Sequence, residues 1–315
     1  MSKISTVYVI VLNWNRAKDT IGCLKSVQEL RIKDYELWVT IIDNASTDDS
    51  VEKIRKHIIP ALPAGRHNSK YKILVNNENL GFAGGNNVGI KYALENGADY
   101  VCVLNNDTIV HPNLIIRIID TFKKDHLVGM ASPKIYFAPG FEFHIKRYKK
   151  EDLGRVIWYA GGEIDWNNVY GKTRGVDEVD RGQYNKREET DFATGTCIVF
   201  SRSLLEKVGM FDEKYFMYYE DTDLSVRAKR AGFKILFVPE ATIWHKVAQS
   251  SGIGSDLNDY FISRNRLLFG YRFASMRTKV ALIRESIQLL FKGRRWQRIG
   301  VRDFYLGRFG KGSWQ

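Results

Sequence analysis

Three carboxylate side chains, Glu220, Asp221 and Asp223, lie within four residues of one another. Aromatic residues precede them at positions 216, 218 and 219. Such neighbours would partly exclude water and raise the pKa of a carboxylate toward the range of a general base. The alternative is that the three acids begin a helix and complement the positive end of its dipole. The spacing leaves both roles open.

Polar residues also follow four apolar segments whose composition predicts buried strands, at residues 7–12, 38–42, 73–75 and 100–104. A single polar residue after a strand is common in turns and helix caps. In an open parallel sheet, however, ligands bind outside the carboxyl ends of the strands. Four polar ends at one edge therefore predict a ligand crevice, formed by segments 13–16, 43–46, 76–79 and 105–107.

Asp107 follows the fourth of these strands, where a carboxylate is well placed to bind a hard divalent cation that also contacts phosphate oxygens. His245 follows Trp244 after a later predicted strand. It is either a buried structural histidine or a second metal ligand, and the second role requires Asp107 nearby in space.

The glycine-rich segment 81–89 opens a predicted helix, so its backbone amides could face an anion. In dinucleotide-binding proteins the Gly-x-Gly-x-x-Gly sequence follows the first strand, where this chain has Asn13, Trp14 and Asn15. The G-x-x-x-x-G-K-[ST] sequence is also absent. Both observations argue against a Rossmann dehydrogenase and a P-loop enzyme.

The elements that position these residues alternate along the chain. Helical periodicity between the first four strands indicates right-handed crossovers and a mostly parallel α/β sheet flanked by helices. Residues 138–190 lack periodicity and predict an irregular excursion. Helices are predicted at 21–30, 51–58, 88–94, 114–122, 201–208 and 221–231. Further strands are predicted at 127–137, 197–200 and 233–238.

The chain has 315 residues, 44% of them hydrophobic, and a net charge of +12. This composition excludes disorder as the main state. Residues 264–315 contain thirteen Lys and Arg against two acids, so this tail carries +11 and the preceding body only +1. Three widely spaced cysteines favour a reducing compartment, and no apolar stretch approaches 18 residues. We therefore expect a cytoplasmic protein, located at the inner face of the membrane if the tail binds lipid.

The tail contains one amphipathic pattern. Met276, Val280, Ile283, Ile287 and Leu290 recur at helical spacing, with basic residues on other faces at 277, 279, 284 and 292. Such a helix either packs its apolar face on the domain or lies at an anionic membrane surface.

Taken in order, the motifs resemble those of the family 2 inverting glycosyltransferases, which have the GT-A fold. The similar segments are 11–16, 42–48, 79–87, 104–108, 193–196, 209–213, 219–224, 244–245 and 264–266, within residues 5–268. The resemblance implies a catalytic domain at 1–268 and a basic helical region at 269–315. The domain would divide into a nucleotide-binding half at about 1–110 and an acceptor half at 111–268. Rhamnosyl and other hexose transferases of bacterial surface polysaccharide assembly look most similar.

For the donor, the resemblance implies that Trp14, between Asn13 and Asn15, lines the base pocket. Asp43 would accept a hydrogen bond from a pyrimidine, and Asn87 would help to hold the nucleotide. Asp107 would bind Mg²⁺ or Mn²⁺ bridging the donor diphosphate, with His245 as a further ligand. Asn105 stands where the family's D-x-D signature often has its first Asp. The remaining implied donor contacts are Asn106, Arg264 and Arg266.

For the acceptor, the resemblance implies that Asp221 is the catalytic base. It would deprotonate an acceptor hydroxyl that attacks the anomeric carbon opposite the leaving diphosphate, which inverts that centre in one step. Composition alone, with Gly252 and Gly254 in the Ser-rich segment 250–255, predicts a mobile loop that closes over the donor. The implied acceptor contacts are Gly195, Thr196 and Glu220.

The function implied is therefore metal-dependent transfer of a sugar from a dTDP-, UDP- or GDP-sugar to a glycan or lipid-linked acceptor. An alternative enzyme is a sugar-nucleotide nucleotidyltransferase, which typically carries a glycine-rich, basic N-terminal segment that this chain lacks. An alternative from another class is a nucleic-acid-binding protein that acts through the basic tail. The tail shows no such binding motif, and this reading leaves the acidic motifs unexplained.

Overall fold

The structure, a computed structural model, describes residues 4–32, 35–58, 69–247 and 254–314. The first part alternates strands and helices as predicted. Its strands pair in parallel in the order β3-β2-β1-β4, so their carboxyl ends share one edge. They are β1 (Ser5–Asn13), β2 (Tyr35–Asp43), β3 (Ser69–Val75) and β4 (Tyr100–Asn105), and the helices are α1 (Ala17–Gln28), α2 (Ser50–Ile58) and α3 (Gly81–Glu95).

The apolar run of β1 is buried because helices cover both faces of the sheet. Val7, Val9 and Val11 share one hydrophobic cluster with Leu24 and Val27 of α1. The alternating residues Tyr8 and Ile10 share a second cluster with Ile90 and Ala93 of α3. Successive side chains of a strand point to opposite faces, so one continuous apolar segment supplies both cores.

The second part extends the sheet to ten strands, and its longest path runs β10-β12-β6-β11-β4-β1-β2-β3. β11 is antiparallel to both neighbours, whereas β12 is parallel to β6. The mostly parallel α/β sheet flanked by helices is thus confirmed. The added elements are β5 (Thr108–Val110), α4 (Leu114–Lys124), β6 (Val128–Phe137), β7 (Ile157–Tyr159), β8 (Gly162–Asp165), β9 (Tyr170–Thr173), β10 (Glu188–Glu189), β11 (Cys197–Ser201), α5 (Arg202–Val208), α6 (Glu220–Arg230) and β12 (Lys234–His245).

β12 is longer than predicted, because the strand continues past Pro239. The pairing with β6 shifts register between Val238 and Thr242, an irregularity that accommodates a proline without an N–H to donate. Beyond it, β12 pairs antiparallel with β5 and places His245 opposite Thr108. This pairing carries His245 to the end of β4.

The predicted excursion at 138–190 contains more structure than its composition indicates. It holds two single-turn 3₁₀ helices (Ile145–Arg147 and Lys150–Asp152) and the β8–β9 hairpin. Lys134 of β6 donates from a buried position to Asp180 (2.7 Å) and Asn185 (2.8 Å). Tyr136 donates to the same carboxylate of Asp180 (2.6 Å). A buried charge with these partners ties the excursion to the sheet.

Three helices complete the chain: α7 (Asp256–Phe273), α8 (Met276–Lys292) and α9 (Arg295–Tyr305). α7 crosses the predicted boundary at residue 268 without a break. Tyr260 of α7 contacts Trp296 of α9 and Trp314 through their rings. Across the described ranges, no helix is long and apolar enough to cross a bilayer.

Two glycines of the segment 81–89 allow α3 to pack closely on β1. A Cβ on Gly85 would lie 2.6 Å from Leu12 Cδ1, and one on Gly89 would lie 2.5 Å from Ile10 Cγ2. Ordinary carbon contacts are about 3.5–4.0 Å. Close helix packing therefore accounts for these two glycines without an anion.

We expect Gly89→Ala to lower the free energy of unfolding by about 1–3 kcal/mol, because the added methyl overpacks the α3–β1 contact. Gly22→Ala is the matched control, since a Cβ on Gly22 in α1 would meet only Lys246 Nζ at 3.5 Å. That variant should be neutral or slightly more stable. Urea denaturation measures both, and equal stabilities of the two variants would contradict the packing assignment.

Candidate active site

The carboxyl ends of β1 and β2 form a hydrogen-bonded polar corner. Asn13 donates from Nδ2 to Asp43 Oδ1 (2.7 Å), and Ser46 donates its hydroxyl and amide protons to the same carboxylate (2.6 and 2.9 Å). Asn13 and Asp43 are both buried, which fixes the orientation of this carboxylate. Trp14 is 51% exposed next to this corner, so its ring can stack on a planar ligand.

Neighbouring asparagines extend the corner toward β4. Asn15 accepts a hydrogen bond from the Thr47 amide (2.8 Å), and Asn106 donates to Thr20 Oγ1 (3.0 Å). Thr20 in turn donates to Asn13 Oδ1 (2.7 Å). The structure therefore brings the predicted residues at the ends of β1, β2 and β4 into one network.

Asp107 and His245 meet at the edge of this network. His245 Nε2 lies 3.1 Å from Asp107 Oδ1, and the Asp107 carbonyl accepts a hydrogen bond from the Lys246 amide (2.8 Å). Asp107 Oδ1 and His245 Nδ1 are buried without a hydrogen-bond partner within the described part of the chain. A buried polar atom normally has a partner.

A divalent cation fits these two residues. Carboxylate oxygen and imidazole nitrogen are both ligands of divalent metals. Two adjacent ligands at about 2.1 Å from an octahedral ion are about 3 Å apart, close to the observed separation. Within the described ranges no group of three His, Cys, Asp or Glu side chains could hold a metal, so the donor set from the protein is small. Such an ion would leave room for ligand oxygens.

Asp221 occupies the first turn of α6 and faces the loop before β11. The Gly195 amide donates to Asp221 Oδ2 (2.8 Å), and the Thr222 amide donates to Oδ1 (2.6 Å). Burial raises the pKa of Asp221, against the lowering effect of these donors. A Cβ on Gly195 would lie 3.5 Å from Asp221 Oδ2 and 3.0 Å from Phe82, so a larger residue would crowd the carboxylate.

The other two acids of α6 differ from Asp221. Asp223 is fully buried and bonded to Arg227 (2.6 Å), Arg272 (2.6 Å) and Tyr215 (2.9 Å). Glu220 is buried, and its Oε2 has no partner among the described residues. Desolvation, followed by the charge of Asp221, raises the pKa of Glu220 well above its usual range. Asp221 is the one acid of the three with a partly exposed side chain.

A short link joins the two sides of the site. The Asn105 amide donates to the Thr196 carbonyl (3.0 Å), so the strand end before Asp107 contacts the loop that holds Asp221. Thr196 is buried beside Gly195. This hydrogen bond connects the end of β4, next to Asp107, to the loop whose Gly195 amide contacts Asp221.

An unusual backbone precedes Asp221. Phe216, Tyr218 and Tyr219 all have positive φ angles (65°, 66° and 73°), which is rare for bulky residues. Asn265 of α7 donates from Nδ2 to the carbonyls of residues 215 (2.9 Å), 217 (2.7 Å) and 218 (3.0 Å). These hydrogen bonds hold the segment in its left-handed conformation.

Arg264 and Arg266 do not have the positions expected of diphosphate ligands. Arg264 is fully buried and donates to the carbonyls of residues 214, 215 and 310. Arg266 forms a two-point ion pair with Glu285 (2.6 and 2.9 Å) and donates to the Asn168 carbonyl (2.8 Å). We therefore correct both roles: the guanidinium groups bind protein partners and hold α7 in place.

Asn87 also requires correction. Its Nδ2 donates to the Phe211 carbonyl and to Glu213 Oε1 (both 2.9 Å), and its Oδ1 accepts from the Phe211 amide (3.1 Å). A buried amide with these partners ties α3 to residues 211–213 and is not directed at a nucleotide.

The loop predicted to close over the donor lies largely outside the described residues. Gly252 is outside them, whereas Gly254 is the first residue of the next described range.

Asn265 lies in the predicted segment 264–266, but its residue type alone did not predict its role in holding the segment before Asp221. The available signal is an asparagine between two arginines in an otherwise apolar helical segment. Such an amide requires hydrogen-bond partners once the helix is buried.

We expect Asn265→Ala to lower the free energy of unfolding by about 2–4 kcal/mol, since it removes the donors of three carbonyls. It should also reduce any activity through kcat more than through KM, because the segment before Asp221 loses its support. Asn258→Ala in the same helix is the control, since the Asn258 side chain forms no hydrogen bond with the described residues. Urea denaturation and steady-state kinetics test this, and equal behaviour of both variants would refute the role of Asn265.

Comparison with known proteins identifies the family of the chain. The family model described as "Glycosyl transferase family 2" matches residues 8–209. The dTDP-rhamnosyl transferase RfbF of Shigella flexneri is 23% identical over 272 residues, which cover 84% of this chain and 79% of RfbF. An N-acetylglucosaminyl-diphospho-decaprenol L-rhamnosyltransferase of Mycobacterium tuberculosis is 28% identical over 158 residues, about half of each protein.

The fold agrees as well. A crystal structure of GalNAc-T7 with UDP, GalNAc and Mn²⁺ superposes with a TM-score of 0.61 at 16% identity, covering 83% of this chain and 49% of that one. At this identity the likeness shows the fold alone, and that fold is GT-A. The family match ends at residue 209, before Asp221 and His245.

Proposed function

The chain belongs to glycosyltransferase family 2, and from this premise we propose that it transfers a sugar with inversion, using Asp221 as the general base. One observation carries the assignment of the base. Of the three acids that begin α6, Asp221 alone is partly exposed, and it lies against the Gly195 amide. Asp223 forms ion pairs with two arginines, and Glu220 is buried, with a pKa that desolvation and the charge of Asp221 raise well above its usual range.

The proposed reaction is a single displacement. The acceptor oxygen forms a bond to the anomeric carbon while the bond from that carbon to the diphosphate oxygen breaks. The proton of the acceptor hydroxyl passes to Asp221. The raised pKa of Asp221 makes it a stronger base than an exposed carboxylate, and the Gly195 amide holds it in one orientation.

Asp107 and His245 would hold the metal of this reaction, either Mn²⁺ or Mg²⁺. When bound, a divalent cation supplies positive charge against the leaving diphosphate. Two observations support this assignment: His245 Nε2 lies 3.1 Å from Asp107 Oδ1, and that oxygen has no hydrogen-bond partner among the described residues. With Arg264 and Arg266 bonded elsewhere, neither arginine supplies that charge.

The donor we propose is a dTDP-activated rhamnose or a related hexose, by analogy with the two rhamnosyltransferases. Trp14 and Asp43, at the ends of β1 and β2, would contact its pyrimidine, which the exposed ring of Trp14 and the fixed carboxylate of Asp43 support. The mycobacterial relative, by its name, acts on a polyprenyl-linked sugar. A lipid-linked glycan acceptor at the inner face of the membrane is the corresponding proposal for this chain.

We expect Asp221→Asn to reduce kcat by about 10²–10⁴-fold, because the proton of the acceptor loses its base. Donor affinity should change little, since Asp221 acts in the chemical step. In the wild type, rate should fall as pH falls through the raised pKa of Asp221, because the protonated acid cannot accept a proton. Asp125→Asn, at the opposite edge of the sheet, is the control. A rate for Asp221→Asn near that of the control would overturn the assignment.

We expect Asp107→Ala and His245→Ala each to weaken Mn²⁺-dependent binding of a nucleoside diphosphate, measured by calorimetry with dTDP, UDP and GDP. If both residues bind one ion, the double variant should lose less than the sum of the two single losses. Binding without metal provides the baseline for each variant. Unchanged affinity in Mn²⁺ would place the metal elsewhere, and preference for GDP would exclude a pyrimidine donor.

A further inference from the structure

Helix α8 presents a line of apolar side chains to solvent. Five residues, each between 45% and 79% exposed, recur at intervals of three and four along the helix. At 1.5 Å per residue they extend over about 22 Å. We call this line the outer stripe, and its members are Met276, Val280, Ile283, Ile287 and Phe291.

The opposite face of α8 already packs on the protein. Thr278, Leu282 and Ser286 are buried, and Ser286 is hydrogen-bonded to Tyr305 of α9 (2.6 Å). Glu285 pairs with Arg266 of α7. The sequence left open whether the apolar residues of this helix pack on the domain. In the structure four of the five named there are exposed, so the outer stripe does not hold the helix in place.

The charged residues around the outer stripe are basic, with the exception of Glu285. Arg277, Arg284 and Lys292 are exposed along α8 beside it. Glu285 is the one acid of α8, and its ion pair with Arg266 neutralises it. Arg295 and Arg298 of α9 are also exposed. An apolar line with basic flanks is typical of helices that lie in the interface of an anionic membrane.

We propose that the outer stripe of α8 inserts into the headgroup region of an anionic bilayer while Arg277, Arg284 and Lys292 contact the lipid phosphates. A second copy of the chain is a poorer occupant, because pairing two such faces would bring like charges together. A nucleic acid would leave the five apolar side chains without a partner. The proposal names the lipid-facing residues of the membrane location proposed above, but it does not depend on the sugar transfer.

Flotation with phosphatidylcholine vesicles, with and without phosphatidylglycerol, tests the proposal on the full chain. The wild type should bind the anionic vesicles and bind the neutral ones weakly. Ile287→Ser combined with Phe291→Ser should weaken partitioning at least about tenfold, because two apolar side chains leave the bilayer. Ala281→Ser combined with Gln288→Ser changes two exposed residues of α8 outside the stripe and should bind like the wild type.

Arg277→Gln combined with Arg284→Gln should reduce binding to the anionic vesicles by at least about fivefold and remove most of its salt dependence. Equal flotation of the wild type and the stripe variant would overturn the proposal. It would also be overturned if sedimentation velocity showed a dimer that the stripe variant dissociates while neither protein floats. Asp221→Asn should float like the wild type, so a failure of the catalytic assignment is distinguishable from a failure of this one.

Discussion

The left-handed backbone at residues 216–219 is the constraint on which the acidic end of α6 depends. Three bulky residues adopt positive φ, and each such conformation costs about 1–3 kcal/mol. Asn265 and Arg264 offset this cost by donating to the carbonyls of the segment. The resulting turn determines which acid remains partly exposed. It buries Glu220 and Asp223 and leaves Asp221 partly exposed beside Gly195. One turn of backbone thus gives the neighbouring carboxylates different environments.

The topology of the sheet also brings the predicted site residues together. Parallel strands β1, β2 and β4 bring Asn13, Asp43 and Asn105 to one edge, as their apolar runs predict. His245 arrives by another route, because β12 bends past Pro239 and pairs antiparallel with β5. That pairing places an imidazole 3.1 Å from Asp107, although 137 positions separate the two residues. The end of β4 is joined to the loop beside Asp221 where the Asn105 amide donates to the Thr196 carbonyl.

Sequence patterns predicted the elements better than the partners of individual polar side chains. Buried strands and their polar ends are visible because burial on both faces demands an uninterrupted apolar run. The roles of Asn87, Arg264 and Arg266 were wrongly expected, since residue type reveals a hydrogen-bonding capacity but not which group satisfies it. The carbonyls of residues 211, 214 and 215 accept hydrogen bonds from Asn87 and Arg264, and Glu285 pairs with Arg266. Only the tertiary structure brings these partners close. Periodicity likewise showed that α8 is amphipathic but not that its apolar line faces outward.

Consecutive residues of α7 connect the chemistry to the basic tail. Arg264 and Asn265 hold the backbone before Asp221, while Arg266 pairs with Glu285 of α8. All three are buried, and a helix with such partners on adjacent positions cannot rotate without breaking hydrogen bonds on both sides. The orientation of the outer stripe relative to the crevice is therefore set by α7. A surface bound through α8 would meet the crevice at one fixed angle, which would present Asp221 to acceptors from a defined direction.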